Sequence, residues 1–140
     1  MSNINIRYAS FSETGVRTNN EDFIQISCDP DDGRYLFVCC DGMGGHAMGD
    51  VDHSVWGDFI DRSIFSYQRD KADVEIHQFE LESGDRILLC TDGVCQFIAP
   101  DILTRRSMDD KSPEDVANVI QFFCEKFSKD NYSAIIVYYE

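Results

Sequence analysis

Apolar positions along the chain fall into short runs, alternating or continuous, broken by polar turns. That period predicts strands more often than helices. Ile4 to Phe11 alternates in part and predicts an edge or outer strand. Phe23 to Cys28 predicts a second strand, closed by the turn-rich Asp29-Pro30-Asp31-Asp32-Gly33. Tyr35 to Cys40 is continuously apolar, as a buried strand would be, and runs into Asp41-Gly42-Met43-Gly44-Gly45-His46. Glycines at that density allow close approach of backbone to a ligand. From Val51 to Ser66, Val55, Trp56, Phe59, Ile60 and Ile64 share one helical face. Val74 to Leu81 alternates and predicts a strand, Ser83-Gly84-Asp85 a turn, and Arg86 to Cys90 another buried strand that Thr91-Asp92-Gly93 ends.

The segment from Cys95 to Arg106 predicts helix in part, with Pro100 near a start or a break. The clearest helix is Pro113 to Phe127. Ser112 suits the N-cap, Pro113 the first turn, and Asp115 can complete a capping box. Val116, Val119, Ile120, Phe123 and Phe127 line its expected apolar face. A turn at Lys129-Asp130-Asn131 leads into a last strand, Tyr132 to Tyr139. With few crossover helices between strands, pairing is expected to be antiparallel within a single domain spanning 1–140.

Composition narrows the function. The chain carries 26 acidic and 12 basic residues, a formal charge of -14. Such a field disfavours nucleic acid and anionic membrane as partners. It also repels an anionic substrate unless cations or an arginine stand in the site. No signal peptide or membrane-spanning run is evident, so the cytoplasm is the expected location. Six cysteines contain no CxxC pair. Cys39, Cys40 and Cys90 lie in strand-like runs and read as small buried hydrophobes rather than zinc ligands or disulfide partners.

The chemistry gathers at strand ends. Asp41 and Asp92 each follow a buried strand and precede a glycine. Glu21 and Asp22 precede one strand and Asp130 another, so all five acids could meet at one end of a sheet. Taken singly, each is an ordinary turn residue. Taken together, like charges at one edge call for a hard divalent cation, magnesium or manganese. His46, a lone loop histidine, reads as a surface or supporting residue more readily than as a ligand.

Several motifs occur in order: Asn20-Glu21-Asp22, Asp41 to His46 with Gly49, Gly84-Asp85 before Leu88 to Gly93, and Asp130-Asn131. Together they resemble the metal-dependent, type 2C protein serine/threonine phosphatases. The resemblance implies an α+β fold, a β-sandwich flanked by helices, with two Mg2+ or Mn2+ ions at one end. It implies that Asp41 bridges the ions, that Gly42 gives a backbone carbonyl, and that Asp92 and Asp130 serve the second ion. Glu21 would serve the first ion directly or through water, with Asp22 beside it. Arg17 would grip the substrate phosphate, although its bland alternative is a surface ion pair. His46 would donate a proton to the leaving group or orient water. The implied reaction is direct hydrolysis of phosphoserine and phosphothreonine in a phosphoprotein or phosphopeptide, as in cytoplasmic signalling.

The chain departs from that pattern in the middle. Between Gly49 and Gly84 the family's further strands are missing, including a glycine-threonine-threonine segment and a glycine-aspartate-serine-arginine turn. An acidic position four residues after Asp92 is Gln96 here, so no third ion site is expected. Loss of central strands should narrow the sandwich and favour a homodimer through exposed edges or faces. It also leaves open an alternative function, a catalytically weak module that binds or regulates phosphoproteins.

Overall fold

The computed structural model describes residues 5–29, 31–42 and 76–140. The helix expected from Val51 to Ser66, and Met43 to Gly49 with His46, lie outside the described residues. The chain divides into two compact units, Met1–Gly42 with Leu81–Glu140, and Met43–Glu80. Of the second unit, residues 76–80 are described and carry neither helix nor strand.

The first unit contains β1 (Ile6–Glu13), β2 (Phe23–Asp29), β3 (Arg34–Cys40), β4 (Arg86–Cys90), α1 (Asp92–Cys95), α2 (Pro100–Ser107), α3 (Pro113–Phe127) and β5 (Tyr132–Tyr139). Its strands form a three-stranded sheet in the order β1-β5-β4 and a separate β2-β3 hairpin. Every pairing is antiparallel, with Phe11 opposite Ala134, Leu88 opposite Ile136 and Phe23 opposite Cys40. The architecture is thus α+β, with antiparallel sheets and a few helices.

Strand β5 sits at the centre. Its alternation matters because both faces are covered. Tyr132, Ala134, Ile136 and Tyr138 belong to the core shared with Phe11, Val116, Ile120 and Cys124, on the helical side. Ser133, Ile135 and Val137 point the other way, and all are buried. The hairpin covers that second face. The Tyr8 and Phe37 rings meet edge to face at 5.5 Å, and the Cys28 thiol lies 3.6 Å from the Tyr8 hydroxyl. A strand enclosed on two faces reads as a continuous apolar run, as Ala134 to Val137 does.

Helix α3 begins as its residues dictate. The Ser112 hydroxyl accepts from the Asp115 backbone N–H at 3.1 Å, and Pro113 fills the first turn. Its buried stripe differs from expectation. Pro113, Val116, Ala117, Ile120 and Cys124 face the core, whereas Phe127 is 55% exposed. Small side chains at Ala117 and Cys124 let the helix lie close to the sheet. The larger Phe123 and Phe127 rings stack on each other at the margin, 6.4 Å apart. Asp92 does not simply end a strand, since it opens α1. Residues 76–81 do not form the expected strand. Val74 and Glu75 lie outside the described residues, and 76–81 are exposed and carry no strand.

Arg86 shows how a charge enters such a core. Its guanidinium lies 4.0 Å over the Tyr138 ring and donates to the carbonyls of Ser107 and Asp109 at 2.7 and 2.6 Å. It thereby satisfies acceptors around the end of α2. The thiols behave as apolar groups. Burial raises Cys39 and Cys124 to about 12 and Cys90 to about 11.

Packing of α3 on β5 should dominate stability. Ile120→Ala is expected to cost about 2–5 kcal/mol by leaving a cavity at a fully buried position. Phe122→Ala, at a half-exposed position, should cost less than about 1 kcal/mol. Urea unfolding of both variants compares the two directly.

Candidate metal centre

Four acids come together where the hairpin meets the ends of β4 and β5. Asp41 follows β3, Asp92 follows β4, Asp22 precedes β2 and Asp130 lies just before β5. The Asp92 backbone N–H donates to Asp41 Oδ2 at 3.3 Å. Asp41 is pushed up to about 7, first by loss of surrounding water, then by the Asp92 carboxylate and the charge of Asp22. The Asp92 N–H offsets only part of that rise. Such surroundings favour the protonated carboxyl, and a bound cation would relieve the same conflict.

Asp22 is buried, and it too is raised, chiefly by burial and further by the charges of Asp130 and Asp92. Two hydroxyls pull the other way. Thr91 and Ser133 donate to the same oxygen, Asp22 Oδ2, at 2.7 and 2.8 Å. The Ser133 N–H donates to Thr91 Oγ1 at 3.1 Å, closing the arrangement. Ser12 Oγ lies 2.8 Å from Ser133 Oγ and accepts from the Asn20 amide at 3.0 Å. These bonds offset part of the cost of burying the Asp22 carboxyl, which nonetheless stays raised.

Asn131 joins the same region by its side chain. Its Oδ1 accepts from the Glu21 N–H at 3.0 Å, and its Nδ2 donates to the carbonyls of Thr14 and Asn19, each at 2.8 Å. One buried amide therefore holds the loop between β1 and β2 against the start of β5 and presents Glu21 to the site. Two glycines permit the close approach. A Cβ on Gly93 would overlap the Asn131 carbonyl, and one on Gly42 would overlap the Glu21 carbonyl and lie 2.9 Å from Glu21 Cβ. The nearness of Gly42 is thus to protein backbone at Glu21.

Arg17 lies at the rim, with Nε 3.5 Å from Asp130 Oδ1, and both side chains are substantially exposed. Gln96 donates to Asp92 Oδ2 at 3.3 Å. Among the expected site residues, Asp22, Asp41, Asp92 and Asp130 lie within electrostatic reach of one another. Glu21 and Gly42 adjoin them through backbone, and Arg17 reaches Asp130. His46 lies outside the described residues. Ser133 and Ser12 carried no signal of their own, and Thr91 stood within the Leu88 to Gly93 motif without an assigned role. Their nearest hint was position, since Thr91 precedes Asp92 and Ser133 follows Asp130-Asn131 by one alternation of the strand.

Among the described residues, no three His, Cys, Asp or Glu side chains form a cage that would hold a metal ion alone. The donors present nonetheless suit Mg2+ or Mn2+. Magnesium commonly takes one or two carboxylates and keeps water for its remaining positions. The Asp41 and Asp92 pair, with its like-charge conflict, has the composition and electrostatics of such a donor set.

No protein-family model and no curated protein matches the chain. Solved structures do match it. The serine/threonine phosphatase of S. agalactiae aligns with a TM-score of 0.78 at 14% identity, over 97% of this chain and 100% of that one. PppA, a key regulatory component of T6SS in Pseudomonas aeruginosa, aligns at 0.67 and 22% identity, over 96% of this chain and 98% of that one. The catalytic domain of the serine threonine protein phosphatase PstP, solved in complex with two manganese ions, aligns at 0.65 and 17% identity, over 97% and 98%. Likeness at these identities is likeness of architecture, and it agrees with the antiparallel sheets and the helical layer described above. The chain has the fold of the bacterial serine/threonine phosphatases.

Proposed function

We propose that the chain is a divalent-cation-dependent phosphatase that hydrolyses phosphoserine and phosphothreonine monoesters in proteins. The observation that supports this most is the junction of Asp41 and Asp92, where strand-end carboxylates from two different sheets meet and the Asp92 N–H donates to Asp41 Oδ2 at 3.3 Å. An arrangement of that kind is readily understood if a cation is its usual occupant. The structural neighbours are phosphatases, one of them solved with two manganese ions, and that precedent supports the same reading.

Asp41, Asp92 and Asp130 would hold two Mg2+ or Mn2+ ions, with Glu21 and the Gly42 carbonyl completing the donor set. When bound, the ions would supply activation of water at neutral pH and neutralisation of phosphoryl charge. Arg17 would exchange Asp130 for the substrate, since a guanidinium can donate two parallel N–H bonds to a phosphate. Asp22 would support the donor set from behind, and Asn131 would keep Glu21 in place. His46 is proposed as the group that gives a proton to the departing alkoxide. With a net charge of -14, the chain needs these positive groups to admit an anionic substrate. Among the described residues, no helix is long and apolar enough to cross a membrane.

A catalytically weak, phosphoprotein-binding module is the second reading, motivated by the family segments missing between Gly49 and Gly84. Release of phosphate from an aryl phosphate and a phosphopeptide, with Mn2+, with Mg2+ and with chelator, separates the two readings. Cation-dependent turnover supports the enzyme. Phosphopeptide binding without turnover supports the module.

Asp41→Asn should abolish turnover and weaken Mn2+ binding in calorimetry. Wild-type turnover in that variant would remove the assignment. Arg17→Ala should raise KM about 10- to 100-fold, the worth of a lost charge-assisted hydrogen bond to phosphate. Unchanged steady-state kinetics would exclude Arg17 as the phosphate clamp.

The raised Asp41 also predicts a pH trend for the cation-free protein. Below the ordinary carboxylate range both folded and unfolded chains hold the proton, and the group is neutral in each. As pH rises towards about 7 the unfolded chain ionises first, so the folded state loses stability. Thermal melts in chelator should therefore shift upward as pH falls from about 7 towards 5, and Asp41→Asn should flatten part of that shift. Saturating Mn2+ should stabilise most near pH 7 and less at pH 5, where protons compete for the carboxylate.

A further inference from the structure

Carboxylates of the candidate metal centre come from two separately hydrogen-bonded sheets. Asp41 ends β3 of the hairpin, whereas Asp92 and Asp130 flank β4 and β5 of the other sheet. Something must hold those strand ends in register with each other, because backbone ladders act only within a sheet. The polar node at Asp22 does so. Asp22 stands at the entrance to β2, Thr91 at the exit of β4 and Ser133 at the start of β5. All three are buried, at 6%, 3% and 0% exposure. Both hydroxyls converge on Asp22 Oδ2, at 2.7 and 2.8 Å. Thr91 and Ser133 are themselves locked together. The Thr91 N–H donates to the Ser133 carbonyl at 3.0 Å, and the Ser133 N–H donates to Thr91 Oγ1 at 3.1 Å.

Each hydroxyl has one proton, and here each is directed at the carboxylate. The Ser12 hydroxyl, 2.8 Å from Ser133 Oγ, can then donate to that oxygen, and its own oxygen accepts from Asn20. The chain of donors thus runs inward from the loop and ends on Asp22. Thr91 is covalently joined to Asp92, and the Asp92 N–H donates to Asp41. A shift of Thr91 therefore moves the two facing acids directly.

We propose that the Thr91 and Ser133 hydroxyls are positioning residues, which by gripping Asp22 fix the spacing of the hairpin acid Asp41 from Asp92 and so set the cation affinity of the candidate centre. The inference rests on the cation-dependent reading above and adds two residues to it. Neither needs to touch the ion or the substrate.

The test is calorimetric titration of the purified full chain with Mn2+ alone, for wild type, Thr91→Val, Thr91→Ser, Ser133→Ala and Ile120→Ala. Thr91→Val keeps the side-chain shape and removes the hydroxyl, and it should weaken Mn2+ binding about 10- to 100-fold, as loss of groups that orient ligands commonly does. Ser133→Ala should do the same. Thr91→Ser restores the hydroxyl and should return the affinity to near wild type. Ile120→Ala lies in the core beneath α3 and serves as the stability control. It should lower the melting temperature while leaving Mn2+ affinity unchanged, with all titrations run well below every melting point. Wild-type affinity in a folded Thr91→Val, or equal weakening in Ile120→Ala, would overturn the positioning role and leave the cation site standing. If Thr91→Val fails to fold, the pair Ser133→Ala and Thr91→Ser decides on the same criteria. No Mn2+ binding by wild type would remove both readings together.

Discussion

Strand β5 is enclosed on both faces, by α3 on one side and the β2-β3 hairpin on the other, and the remaining elements take their positions from it. Its middle, Ala134 to Val137, has almost no exposed surface. Burial of that kind is short-ranged and indifferent to direction, so by itself it would let layers slide. Direction comes from the ladders to β1 and β4 and from polar side chains at the strand's beginning. The polar residues at that beginning, Asp130, Asn131 and Ser133, are also the ones nearest the candidate site. The strand that anchors the core therefore also aims the chemistry.

The two ends of the sandwich solve different electrostatic problems. Near Tyr138, the Arg86 guanidinium lies over the aromatic ring and one of its nitrogens donates to two carbonyls, so the protein itself supplies partners for the charge. At the Asp41 end, acids face acids. Hydroxyls and backbone N–H groups moderate the repulsion, yet Asp22 and Asp41 both remain raised. One end is electrostatically closed and the other is left open to a cation. That asymmetry, more than any single residue, marks the Asp41 end as the candidate site.

Much of the architecture was legible before any coordinates. Continuous apolar runs identified β3, β4 and β5, and Ser112-Pro113 with Asp115 marked the start of α3. Legibility failed where packing chose among similar apolar side chains. The α3 stripe runs through Ala117 and Cys124 because small residues permit close approach, and hydrophobicity alone favours Phe127. It failed again at 76–81, where alternation exists but, among the described residues, no strand pairs with it. For the site, strand-end aspartates before glycines were visible as a set. Thr91 stood inside the Leu88 to Gly93 motif without a role assigned to it, and Ser133 was invisible, since an isolated hydroxyl in a strand carries no period and no motif.

Residue order alone determined the local features. These are the caps, the turns, the runs that must be buried, and the acids that stand at strand ends. Each depends on neighbours within a few positions, where chain connectivity settles what touches what. Only the tertiary structure decided that Asp22, Thr91 and Ser133 share one oxygen, that Asn131 holds Glu21, and that Asp41 meets the N–H of Asp92. Those contacts join positions far apart in the chain and on different sheets. They exist because burial of β5 brings the strand ends together, and no local pattern encodes which ends will meet.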